Sequence, residues 1–114
     1  MAVIAFLAPI PPEKRAQWDA FRAEITGPRH SEFNASRRSH GVHERTFLQE
    51  TPMGDFVMVT LDGENPLEGL LGIAREDSDF ARWFHDQVQE IHGFDLRQPP
   101  ENPPILVIDS ETPA

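Results

Sequence analysis

The chain opens with a short apolar run, Val3, Ile4, Phe6, Leu7 and Ile10, that predicts a buried strand over residues 2–10, closed by the cluster Pro9, Pro11 and Pro12. Proline suits a first helical turn, where its missing N–H has no partner to lose, so a helix is expected from about residue 12 to 26. Within it Trp18, Phe21 and Ile25 fall at i, i+3 and i+7 and share one face. Gly27-Pro28 ends it, because the residue before a proline avoids the α region. Residues 28–40 are polar apart from Phe33 and predict a short helix or a helical turn. Two strands follow, at 42–50 and 55–61. The turn Thr51-Pro52-Met53-Gly54 joins them into a hairpin.

The second of these strands is apolar on both sides. Phe56, Met58 and Thr60 point one way and Val57, Val59 and Leu61 the other, so helices are expected over one face and a partner sheet over the other. Asn65-Pro66 has the cap-then-proline form of a helix start, with Leu67, Leu70, Leu71 and Ala74 behind it at helical spacing. Another helix begins near Asp77-Ser78. Its Phe80, Trp83, Phe84, Val88 and Ile91 fall within roughly 140° of arc, and Gly93 suits its C-terminal cap. A proline-rich connector at 97–104 leads to a last short strand, Ile105–Asp109, and a polar tail at 110–114. Strand, helix, hairpin, helix, strand is the split βαβ order. The expected fold class is therefore α+β: one ferredoxin-like βαββαβ domain over residues 1–114, an antiparallel sheet with helices on one face.

Charge and composition narrow the classes of function. The formal net charge of −9 disfavours phosphate backbones, so no nucleic-acid partner is expected. Lys14 is the single lysine; the other basic residues are arginines, suited to ion pairs or to an anionic ligand. The absence of cysteine removes disulfides, thiolate nucleophiles and thiolate metal sites. The apolar start lacks a basic leader and is too short to span a membrane, so no membrane partner and a cytoplasmic location are expected. No P-loop, GxGxxG, HExxH or GxSxG motif is present, and no cofactor or metal is implied.

Two clusters remain as candidate chemistry. Strand alternation sends Glu44 to the side of Val42, Thr46 and Leu48, and His43 and Arg45 to the side of Phe47 and Gln49. A carboxylate on an apolar face is either paired, for instance with an arginine, or has a raised pKa suited to proton transfer. His85 and His92 lie together at one edge of the apolar stripe of the long helix. They are boundary histidines, acid–base groups, or metal ligands if Glu44 or Asp95 converges on them. Glu44, His85 and His92 are the catalytic candidates, and Trp83, Arg45 and His43 the ligand-binding ones. Trp83-Phe84 reads as pocket wall or as core, and Arg37-Arg38 as an anion contact or a solvated loop.

GVHERTFLQETPMGDFVMV at 41–59 and DFARWFHDQVQEIHGFDL at 79–96 resemble a group of small bacterial proteins of uncharacterised function in the dimeric α/β-barrel superfamily. Gly41, Glu44, Leu48, Gln49, Pro52, Gly54 and Asp55 carry the first part of the likeness. Arg82, Trp83, Phe84, Glu90, Ile91, His92, Gly93, Asp95 and Leu96 carry the second. The resemblance covers about half the chain. It implies the fold and a homodimer whose two sheets face each other to form a barrel, and it implies no reaction. The wider superfamily includes cofactor-free monooxygenases, polyketide cyclases and stress-response proteins, but their active residues do not map onto this chain by motif, so none is carried over. Two functions are open: a dimeric domain binding a small molecule between helices and sheet, or a cofactor-independent monooxygenase- or cyclase-like enzyme for an aromatic or polyketide-type substrate.

Overall fold

The computed structural model describes residues 2–98 and 103–111. Three antiparallel strands, β1 (Ala2–Ile10), β2 (Val42–Thr51) and β3 (Gly54–Gly63), form a sheet in the order β1-β3-β2. A 3-10 turn at Pro12–Lys14 leads into α1 (Arg15–Thr26). The other helices are α2 (His30–Ser39), α3 (Pro66–Arg75) and α4 (Asp79–His92). The described residues thus form an α+β protein with one three-stranded antiparallel sheet and four helices.

Local chemistry sets the helix boundaries. The Asn65 side chain accepts from Glu68 N and the Ser78 hydroxyl from Ala81 N, each satisfying an amide that the first helical turn leaves unpaired. Gly93 closes α4 in the left-handed region at φ 82°. In the hairpin turn the Thr51 hydroxyl donates to Gly54 O and accepts from Met53 N.

Register sorts the strand residues into two faces. Ala8, Val57 and Leu48 stand in one row across the sheet, Phe6, Val59 and Thr46 in the next, and Ile4, Leu61 and Glu44 in a third. The helices cover this face. Ala8, Ile10 and Val57 bury with Trp18 of α1 and Ile91 of α4, and Val42 and Leu61 bury with Ile73 of α3. Phe80, Phe84 and Val88 of α4 build a third cluster with Phe21, Ile25 and Phe33. Gly63 lets the strand ends close here, since a Cβ on it would overlap the Gly41 carbonyl oxygen.

The segment 28–40, expected as a short helix or a helical turn, holds the ten-residue helix α2, whose buried side carries Ser36 and Arg37 in place of aliphatic residues. The structure departs from the sequence expectation in one place. Ile105–Asp109, expected as the last strand, joins no ladder among the described residues, so the described sheet has three strands where the βαββαβ pattern has four. The expected connector at 97–104 and tail at 110–114 lie partly outside the described residues.

Candidate functional site

The helix-covered face of the sheet contains a cleft of about 310 Å³. Trp18, Phe21 and Ile25 of α1, Phe33 of α2, Leu48 of β2 and Phe84 of α4 supply its apolar walls. Arg22, Thr26, His30, Glu44 and Thr46 supply its polar lining. A smaller cavity of about 70 Å³ shares Trp18, Phe21, Glu44, Thr46 and Phe84 with it, and is also lined by Arg37 and His92. Glu44 therefore borders both spaces.

Strand alternation puts Glu44 there: as an even-numbered residue of β2 it must face the helices. Its charge is met by Arg37, whose Nε donates to Oε1 at 2.7 Å. The two side chains are only 6% and 8% exposed. Arg37 Nη1 donates to the Ser36 hydroxyl at 2.9 Å, and its guanidinium lies 4.7 and 4.6 Å from the ring centres of Phe33 and Phe84. Cation–π contact and charge-assisted hydrogen bonding together offset the cost of taking the guanidinium out of water. Among the described residues the second carboxylate oxygen, Glu44 Oε2, has only a 3.5 Å contact from the Thr46 hydroxyl, too long for a strong bond, so it retains acceptor capacity toward a bound molecule.

A second polar cluster braces α2 against the start of α4. Glu76 Oε1 accepts from the Ser36 hydroxyl at 2.8 Å and lies 2.8 Å from His40 Nε2, while Oε2 accepts from the Ser78 hydroxyl at 3.0 Å. Burial alone would raise the Glu76 carboxyl, but the hydrogen bonds from Ser36, His40 and Ser78 outweigh it and hold the group below the ordinary glutamate range. Ser36 thus joins the Glu76 cluster to Arg37 and the cleft.

The candidate residues named from sequence fall in several places. Glu44 lines the cleft. His92 lines the smaller cavity, with Nδ1 at 2.7 Å from Pro9 O. His85 is 1% exposed and its Nδ1 has no hydrogen-bond partner among the described residues. Neither histidine hydrogen-bonds to Glu44. Trp83 packs against Phe21 and Phe80 with Arg29 above its ring, and Trp18 rather than Trp83 faces the cleft. His43 and Arg45 lie on the opposite face of the sheet, beside Asp62. Among the described residues no three His, Asp or Glu side chains converge as metal ligands. Arg37, Trp18 and His30 are the site residues that sequence reasoning did not select. The available signal for Arg37 was Phe33 at i−4, together with a carboxylate on an apolar strand face that required a cation.

Burial lowers the pKa of both His85 and His92, in the second case against an opposing hydrogen bond to Pro9 O. The folded protein therefore refuses protons that the unfolded chain accepts, and stability is full above about pH 6.5 and declines as pH falls below it. Glu76 and Asp95, both held below the ordinary range, the latter by hydrogen bonding from Arg97, extend the decline below about pH 4.5. Urea midpoints are expected to fall between about pH 7.5 and about pH 5.5, and His85→Leu to reduce that fall. An equal fall in the variant would remove His85 from the explanation.

The fold and cleft define a class: an α+β domain with an aromatic-walled cleft between helix layer and sheet and, on its lining, the carboxylate of a buried ion pair. Comparison of the chain with protein-family models, with curated proteins and with solved structures finds no match.

Proposed function

We propose that the protein binds a small, largely apolar molecule between its helices and its sheet. The observation that carries this reading is the cleft of about 310 Å³, which combines aromatic walls with one carboxylate oxygen, Glu44 Oε2, that lacks a strong partner among the described residues. Ligand sites commonly have this form, with apolar walls and a few placed polar groups, at volumes from roughly 300 Å³ upward. Glu44 serves as a fixed acceptor for a hydroxyl or N–H of the ligand. Its ion pair with Arg37, and the lack of a histidine bonded to it, favour binding over the alternative of a cofactor-independent monooxygenase- or cyclase-like enzyme.

A bicyclic phenol such as 2-naphthol suits this chemistry, rings against the walls and hydroxyl toward Glu44. Thr46→Phe, on the inward face of β2, fills the cleft while suiting a strand. Calorimetric titration is expected to show saturable naphthol binding by the unaltered protein and at least about tenfold weaker binding by Thr46→Phe. Equal binding by both would place the molecule elsewhere.

The dimeric α/β-barrel arrangement implied by residues 41–59 and 79–96 is the second part of the proposal, with the outer face of the sheet as the interface. Leu7, Met58 and Phe47 form a row across the three strands on that face, flanked by Val3, and are 37–57% exposed. A solvent-exposed row of this kind is the expected core of an interface. The chain as a whole carries a charge of −9, which repels a copy, yet the charged groups on this face are Asp62, Arg45 and His43, with Arg45 paired to Asp62 at 3.0 Å. The face is thus locally neutral, and a second copy is its fitting occupant.

No helix among the described residues is long and apolar enough to cross a membrane.

A further inference from the structure

Ile105, Leu106, Val107 and Ile108 are 66–86% exposed, four consecutive aliphatic residues without a partner strand among the described residues. Such a segment has strand propensity, and its aliphatic side chains gain by leaving water. Among the described residues the sheet has two free edges, since β3 lies between β1 and β2. They differ in character. β2 carries His43, Glu44, Arg45 and Glu50, charges of the kind that discourage strand addition. β1, AVIAFLAPI, carries none. Its C-terminal end is closed, because Pro9 has no N–H to give a ladder and its carbonyl is engaged by His92. Residues 3–7 remain open, five positions that can accommodate the four-residue aliphatic segment.

We propose that residues 105–108 of one copy add as an edge strand to β1 of a second copy, reciprocally, so that the two sheets are joined by exchanged strands. This rests on the pairing of copies proposed above and adds the segment that links them. It gives the fourth strand of the sequence pattern a place without seating it on its own sheet, and it buries the uncharged edge of β1 together with the exposed aliphatic side chains.

The chain contains no cysteine, so introduced thiols report without background. Ala5→Cys lies in the middle of the open edge. It is mixed with each of Ile105→Cys, Leu106→Cys, Val107→Cys and Ile108→Cys in turn, so that the result does not depend on register, and the mixtures are oxidised. A disulfide closes only when the two Cα atoms come within about 4.4–6.8 Å. One or two of the four mixtures are expected to give the mixed disulfide in roughly tenfold excess over either symmetric product. A protein carrying both Ala5→Cys and the responsive tail substitution that closes its disulfide within one chain would overturn the exchange in favour of docking on its own sheet. Absence of any mixed disulfide, with Met58→Cys still giving a symmetric one, would overturn the exchange and leave the sheet-face pairing standing. Absence of both, in a protein that sediments as a monomer, would overturn the two together.

Discussion

Glu44→Ala is expected to destabilise the protein by about 3–5 kcal/mol, the range for leaving one partner of a buried ion pair uncompensated. The substitution strips Arg37 of the 2.7 Å bond to Oε1 while Phe33, Phe84 and Ser36 keep its guanidinium out of water. Since a domain of this size has a total stability of about 5–15 kcal/mol, the variant should be partly unfolded near room temperature or close to it. Removing both charges is a different experiment. Arg37→Met with Glu44→Leu exchanges the pair for apolar groups and is expected to be near neutral or stabilising, because the desolvation cost of two ions goes with their attraction. Urea denaturation of the two proteins measures the contrast. A Glu44→Ala midpoint within about 1 kcal/mol of the unaltered protein would mean that the pair is solvated, as exposed pairs of that worth are. The double variant also separates stability from binding: it should fold and lose the hydroxyl-dependent part of naphthol affinity.

Met58→Arg is expected to raise the dimer dissociation constant by roughly 30-fold or more, equivalent to about 2 kcal/mol for a central interface residue. Met58 stands between Leu7 and Phe47 on the outer face of the sheet. In a two-fold interface a residue at the centre meets the same region of the partner, so one substitution places two cations in the driest part of the contact. The monomer fold should be unaffected, because the side chain already borders solvent. Sedimentation equilibrium across the micromolar range reads both. An unaltered protein that stays monomeric at tens of micromolar would end the pairing proposal, and a Met58→Arg protein with unchanged association would move the interface to another face.

Much of this framework was legible from local pattern. Period-two alternation placed Glu44 with Val42, Thr46 and Leu48 and put His43 and Arg45 opposite, as the strand register has them. Asn65, Ser78 and Gly93 marked helix ends through hydrogen bonds and a left-handed conformation that act within a few residues. Arg37 was not legible in the same way. Hydrophobic patterning counts an arginine as surface, and what buries this one is a carboxylate seven positions away and two rings, one of them on α4. The same limit hid the role of α2, whose buried side is Ser36 and Arg37. Trp18 and Trp83 both sit at helical spacing with other aromatic residues, so periodicity alone could not say which faces the sheet. Ile105–Asp109 has the composition of a strand, but a strand exists only with a ladder partner, and that partner is chosen by long-range packing.

The reading of the cleft as a ligand site is tested most directly by nuclear magnetic resonance during titration with 2-naphthol, observing the tryptophan indole N–H groups and the leucine and methionine methyl groups. The expected result is saturable shifts at Trp18 and Leu48, which line the cleft, with Leu7 and Met58 on the outer face of the sheet unmoved. Shifts confined to Leu7 and Met58, or none at Trp18 and Leu48 at saturating naphthol, would contradict it.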